Sequence, residues 1–142
     1  MKHFLVDTNV VIDFLIDRKP FSTHAAMLFE LAETRQVRLY LTAVSYNNIY
    51  YIVRKHSTHA LTIKTMKQIE SWTDTIETNA SVIRESLNSD FKDFEDAIQY
   101  NSALTVKRID AIVTRNVPDF KHSKISILTP EESLILIKSA AR

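Results

Sequence analysis

The stretch FLVDTNVVIDF, Phe4 to Phe14, decides how the chain begins to fold. His3–Val6 is a short apolar run, the pattern of a fully buried strand. Asp7 interrupts it, Asn9 follows two residues later, and apolar residues then resume. NVVIDFLIDR has helical spacing, with Val10, Phe14 and Asp17 on successive turns, and Pro20 ends the segment. Asp7 therefore stands at a strand-to-helix junction, where two readings compete. It is either the carboxylate that a buried strand delivers to a site, or the cap that starts the next helix.

The same alternation runs through the rest of the chain. STHAAMLFELAETR predicts an amphipathic helix with Ser22 placed as its N-cap, and VRLYLT (Val37–Thr42) a second strand. SYNNIYYIVRKH reads as helical from about Val44, with Arg54, Lys55 and His56 suited to a helix C-terminus. ALTIKTMKQIESW is a further helix, Asp74–Thr78 a short strand, and Asn79 a cap for ASVIRESL. DFEDAIQYNSALTVK predicts a helix, Ala111–Thr114 and Ile125–Leu128 strands, and TPEESLILIKSA a last helix with Thr129 as N-cap and Pro130 at its first position. Apolar strands alternating with helices predict an α/β fold with a parallel sheet covered on both faces. Without repeats, low-complexity tracts or linkers, residues 1–142 are expected to form one domain.

Composition narrows the chemistry. Apolar residues make up 45% of the chain and charged residues 25%, as in soluble globular proteins. The net charge of +1 leaves nucleic-acid binding to a local basic surface. No apolar run is long enough to span a membrane, and Asp7 and Asp13 break any leader-like core. Cysteine is absent, which rules out disulfides and thiolate metal sites and agrees with a cytoplasmic location. Glycine is absent too, which argues against a P-loop or a dinucleotide fingerprint. Helix C-caps must then use other residues, and Asn88 is placed to take the left-handed conformation.

In open parallel sheets, sites form beyond the carboxyl ends of the strands. Asp7 ends the first strand, and Thr114, Asn116 and Asp119 follow the strand in AIVTRNVPDF. Asp93 and Asp96 open the helix DFEDAIQY. Acids gathered at one edge repel one another unless cations compensate. Hard oxygen ligands favour Mg²⁺ or Mn²⁺, and such a centre suits hydrolysis of a phosphodiester. Each acid also has a plain reading: Asp93 as a helix cap, Asp96 as a first-turn acid and Asp119 as a loop acid.

Three pieces, FLVDTNVVIDFL, DFEDAIQYNSAL and IVTRNVPDF, together resemble the PIN-domain ribonucleases, including VapC-type toxins of bacterial toxin–antitoxin pairs. The resemblance spans essentially the whole chain. It implies a three-layer α/β/α sandwich around a central parallel sheet, a Mg²⁺- or Mn²⁺-dependent endoribonuclease, a small antitoxin partner and a homodimer. By position, Asp7 is the first acid and Asp96 the central one. Asp119 is the acid nearest the TRN element formed by Thr114, Arg115 and Asn116, and Asp93 matches an extra acid of one branch. Asn9 matches a small polar residue that hydrogen-bonds the first acid. One departure stands out: Asn48 in NNIYYIV occupies the place of a glutamate, and Asn116 stands where many relatives have Asp. Less negative charge implies weaker metal binding and favours one metal over two.

Arg115 is either a phosphate-binding cation or an exposed loop residue. Tyr46, Tyr50 and Tyr51 either stack on bases or pack at i, i+4 spacing. Lys107–Arg108 and Lys121–Lys124 are basic spots on an otherwise balanced chain. The five histidines show no zinc spacing. Two other functions compete with the ribonuclease. Asn48 motivates a silent PIN-fold module that binds RNA or protein without cutting. DTNVV nearly matches the opening of haloacid-dehalogenase phosphotransferases, but Asn9 cannot donate a proton as their second acid does.

Overall fold

The computed structural model describes residues 1–140. Its elements run β1 (Lys2–Val6), α1 (Thr8–Leu15), α2 (Ser22–Glu33), β2 (Val37–Thr42), α3 (Ala43–Arg54) and α4 (His59–Trp72). They continue with β3 (Thr73–Ile76), α5 (Ala80–Leu87), α6 (Phe94–Leu104), β4 (Ala111–Val113), a 3-10 turn (Val117–Phe120), β5 (Ser126–Leu128) and α7 (Pro130–Ala140). The five strands form one parallel sheet in the order β3-β2-β1-β4-β5. The expected α/β/α sandwich is the fold observed.

The sheet is central because its strands are apolar on both faces. Phe4, Leu5 and Val6 of β1 and Ala111, Ile112 and Val113 of β4 are fully buried. Phe4 and Val6 pack with α1, α2 and α3 through Val10, Leu28, Phe29 and Ile49. Leu5 and Ile112 face the other layer, with Ala103 of α6 and Phe120. One residue's shift in register would exchange these faces, so the buried pattern fixes the pairing. Strand order steps outward from β1 in both directions, which puts the β1 and β4 ends side by side at the carboxyl edge. Asp7 seals that junction: its backbone N–H donates to the Val113 carbonyl at 2.9 Å.

Several local expectations are corrected. Ser22 is not a cap: the α2 cap position is Phe21, and the Ser22 hydroxyl donates to Asp17 Oδ1 at 2.7 Å. Asn88 does not turn left-handed; its φ is −102°, and its side-chain amide donates to the Arg84 carbonyl. The left-handed positions are Asp17 (φ 51°) and Arg35 (φ 60°). At each, the residue's own N–H and that of the next residue bond back to the last turn, Asp17 to Phe14 and Arg18 to Asp13, Arg35 to Ala32 and Gln36 to Leu31. These are Schellman closures built without glycine. The third strand begins one residue earlier than Asp74 and stops at Ile76, and the sixth helix ends at Leu104 rather than Lys107. Asn79 does cap α5, accepting from the Val82 N–H at 2.9 Å. Thr129 and Glu132 form a reciprocal capping box at α7.

Candidate metal centre at the carboxyl edge

Asp7 sits where a cap would sit, but its carboxylate is not used as one. The backbone is extended (φ −63°, ψ 144°) and its carbonyl accepts from the Val10 N–H at 3.0 Å, which starts α1. The side chain closes no capping hydrogen bond. It is 1% exposed and is held instead from two distant elements. Gln99 Nε2 on α6 donates to Oδ1 at 2.9 Å, and the Thr114 hydroxyl after β4 donates to Oδ2 at 2.7 Å. Burial raises the Asp7 pKa; the Thr114 and Gln99 bonds and the nearby Asn9 and Thr8 amides oppose that rise.

Asp96 lies in the first turn of α6 and is 8% exposed. Its pKa is pushed up to about 7, first by burial and then by the negative charges of Asp7, Asp93, Asp119 and Glu95. The sheet edge thus gathers carboxylates from β1, α6 and the 3-10 turn. Asp93 is the α6 cap, its Oδ1 accepting from the Asp96 N–H at 3.0 Å. Its charge still acts on Asp96, so the cap reading and the cluster reading both describe it. Asp119 is exposed at the mouth of the cluster.

The remaining candidates divide. Thr114 is fully buried; besides donating to Asp7 it accepts from the Asn116 N–H at 2.9 Å. Asn116 in turn offers its carbonyl to the Asp119 N–H at 2.9 Å, so TRN is a hydrogen-bonded frame for Asp119. Asn9 meets Asp7 through its backbone amide, while the side-chain bonds to Asp7 come from Gln99 and Thr114. Arg115 is corrected. Its guanidinium forks onto Asp13, Nε to Oδ2 and Nη2 to Oδ1 at 3.1 Å, and lies 4.2 Å over the Phe21 ring. Asp13 is 1% exposed and also pairs with Arg18 at 3.4 Å. A buried carboxylate needs such partners, so Arg115 is committed to the fold. Asn48 is half-buried on α3, one turn beyond Ser45, whose hydroxyl meets that of Thr8 at 2.7 Å.

Sequence reasoning missed Gln99, Glu95 and Asp13. Gln99 stands three residues after Asp96 in the quoted DFEDAIQY, so its place on the same helix face was readable. Glu95 was hidden by being the ordinary neighbour of Asp96. Asp13 gave no signal beyond its apolar surroundings, which mark a buried acid only once a partner is known.

Beside the acids opens a cleft of about 600 Å³, whose lining includes Asp93, Asp96 and Asp119 together with Phe91, Tyr100 and Lys121. Its size is that of a small-ligand site. Among the described residues, no three His, Asp or Glu side chains are arranged around one ion position. The donor set nevertheless fits a small hard cation. Mg²⁺ retains several waters and takes only one or two protein carboxylates, with substrate phosphate completing its shell. Asp7 and Asp96 provide two. The Gln99 Oε1 atom is buried without a hydrogen-bond partner.

Comparison with known proteins identifies the fold. A family model described as a PIN domain matches residues 3–118. Among solved structures, DNA-bound VapBC from Salmonella typhimurium superposes with a TM-score of 0.66 at 16% identity, over 92% of this chain and 99% of that one. A toxin–antitoxin complex from Klebsiella pneumoniae gives 0.63 at 21% identity, over 89% and 96%. VapC20 of Mycobacterium tuberculosis, a Sarcin-Ricin loop cleaving toxin, gives 0.60 at 11% identity, over 77% and 86%. Comparison with curated protein sequences finds no match.

Proposed function

The chain belongs to the PIN-domain family, and from that premise we propose that it is a divalent-cation-dependent endoribonuclease, the toxin of a toxin–antitoxin pair. The observation that carries the reading is Asp7. A carboxylate 1% exposed, held at both oxygens by Thr114 and Gln99 and set beside Asp96, is costly to the fold and poised for a cation. Asp7 and Asp96 would hold Mg²⁺ or Mn²⁺, with Asp119 and Asp93 adding negative charge at the cleft. The bound cation supplies Lewis acidity and lowers the pKa of its water.

The protein's own groups do the positioning. Thr114 and Gln99 fix both Asp7 oxygens, so the carboxylate does not reorganise when charge develops nearby. The TRN frame aims Asp119 at the cleft mouth. Phe91 and Tyr100, partly buried with ring centroids 5.3 Å apart, line the cleft with Lys121; the aromatic side chains would contact unpaired bases and the lysine backbone phosphates. A single-stranded segment fits this cleft better than a duplex, because only unpaired bases reach the rings. The VapBC and toxin–antitoxin neighbours motivate an antitoxin as partner; that it is small, that it covers this edge and that the chain assembles as a homodimer are what the family resemblance implies. Among the described residues no helix is long and apolar enough to cross a membrane; with the cysteine-free sequence this supports action in the cytoplasm.

Asn48 favours one second reading, a module of the same fold that binds RNA without cutting. Incubating structured and single-stranded RNAs with Mn²⁺ separates the two. Cleavage by the wild type that is lost in Asp96→Asn supports the ribonuclease. Equal RNA binding by both proteins, with no cleavage by either, supports the binding module.

A further inference from the structure

Asp13 and Arg115 tie the loop after β4 to α1, and that loop carries two groups of the candidate cation site, Thr114 and Asp119. Thr114 is still anchored to the sheet, since its N–H donates to the Leu128 carbonyl at 2.9 Å. Arg115 is the first residue beyond that anchor. Its guanidinium forks onto both Asp13 oxygens, Nε to Oδ2 and Nη2 to Oδ1 at 3.1 Å, and lies 4.2 Å over the Phe21 ring. The backbone that follows is bonded back on itself. The Asn116 N–H donates to the Thr114 hydroxyl oxygen at 2.9 Å, and the Asp119 N–H to the Asn116 carbonyl at 2.9 Å. The Thr114 hydroxyl in turn donates to Asp7 Oδ2 at 2.7 Å. Asp7 accepts the first backbone bond of α1, and Asp13 lies within that helix. The contacts therefore close a ring, from Asp7 through Thr114 and Arg115 to Asp13 and back along α1. Asp13 is 1% exposed and lines no part of the cleft.

We propose that Asp13 is a positioning residue of the cation site, acting through Arg115 to hold the Thr114–Asp119 segment at the edge where Asp7 stands. A buried ion pair gains a fold little over an apolar pair of the same shape. What it adds here is direction. A planar fork on two oxygens fixes the guanidinium, and with it the backbone next to Thr114, more narrowly than apolar packing does. Arg18 also reaches Asp13, at 3.4 Å, but its side chain is 41% exposed and it belongs to the turn after α1, away from the β4 loop. Arg115 is therefore the partner through which Asp13 reaches the site. The inference rests on the metal-centre reading above and adds a residue that touches neither cation nor substrate.

The test compares thermal stability with calorimetric Mn²⁺ affinity, measured well below the melting temperature and without RNA. The proteins are the wild type, Arg18→Met, Arg115→Met and the double variant Asp13→Leu/Arg115→Met. Arg115→Met strips the fork from a buried acid and lowers the melting temperature; the double variant removes that acid too and recovers stability. Affinity should not follow stability. Arg115→Met and the double variant should both bind Mn²⁺ roughly tenfold more weakly than the wild type, the scale seen for groups behind metal ligands. Arg18→Met should bind as the wild type does. Charge alone predicts otherwise: losing a cation in Arg115→Met would strengthen Mn²⁺ binding, and the double variant keeps the net charge of the wild type. Hydrogen exchange at the Asn116 and Asp119 amides should speed up in the two weakened variants and not in Arg18→Met. Affinity that recovers with stability in the double variant makes Asp13 merely structural and overturns the proposal, with the metal centre left standing. Equal weakening in Arg18→Met overturns the route through Arg115. Failure of the wild type to bind Mn²⁺ at millimolar concentration overturns the metal-centre reading itself, and with it any role for Asp13 there.

Discussion

The Thr114 hydroxyl donates to Asp7 Oδ2 across 2.7 Å, joining the residue after β4 to the residue after β1 at adjacent strand ends. With Gln99 on the other oxygen, it holds a carboxylate that burial would otherwise drive toward its neutral form. Thr114→Val keeps the shape and removes the donor. It should destabilise the protein by about 2 kcal/mol at pH 7, the scale of a hydrogen bond to a charged group. Thr114→Ser should recover most of that. Urea denaturation of the three proteins measures it.

Asp96 sets the pH dependence. Its folded pKa of about 7 lies above the unfolded value near 4. The folded state therefore binds this proton more tightly. The stability it contributes is fully present below about pH 4 and is lost as pH rises through about 7. Asp96→Asn cannot ionise and should escape the loss. Without divalent metal, the variant should overtake the wild type between pH 4 and pH 7.5, by about 1–2 kcal/mol, less than the full shift because the cleft admits water. Adding Mn²⁺ should close the gap by stabilising only the wild type. Thermal melts across that pH range, with and without Mn²⁺, give the comparison.

Arg115 should behave as a structural residue. Arg115→Met removes the fork on Asp13 and leaves that 1% exposed carboxylate with Arg18 alone. The expected cost is about 3 kcal/mol. Arg115→Lys should recover little of it, because an ammonium cannot form the fork. RNA affinity measured well below the unfolding temperature should change much less than stability does.

Much of this site was legible because its acids interrupt patterns. Asp7 breaks an apolar run, Asp96 opens an amphipathic helix, and Asp119 follows a strand, so each announces a strand or helix end. Partner choice was not legible. Whether Arg115 reaches a phosphate or Asp13 depends on how α1 packs against the β4 loop, which no local pattern encodes. The same holds for Asn9 and Gln99: both are amides near acids in sequence, and only the α6 packing puts Gln99 on Asp7. The left-handed positions were unreadable for a different reason. Without glycine to mark them, hydrogen bonding alone selected Asp17 and Arg35.

Arg35 should therefore be improvable. Asp tolerates the left-handed region, whereas a long side chain pays a steric penalty there of about 1 kcal/mol. Arg35→Gly keeps both backbone bonds of the α2 Schellman closure and should stabilise the protein by about 0.5 kcal/mol, once the greater freedom of unfolded glycine is subtracted. Arg35→Ala should not. Chemical denaturation midpoints distinguish them.

The central claim is that the carboxyl edge of the sheet holds a divalent cation between Asp7 and Asp96. Anomalous diffraction at the manganese edge, from crystals soaked in Mn²⁺, tests it most directly. The account predicts an anomalous peak within ligand distance of both carboxylates. A peak elsewhere, or none at this edge at saturating Mn²⁺, would contradict it.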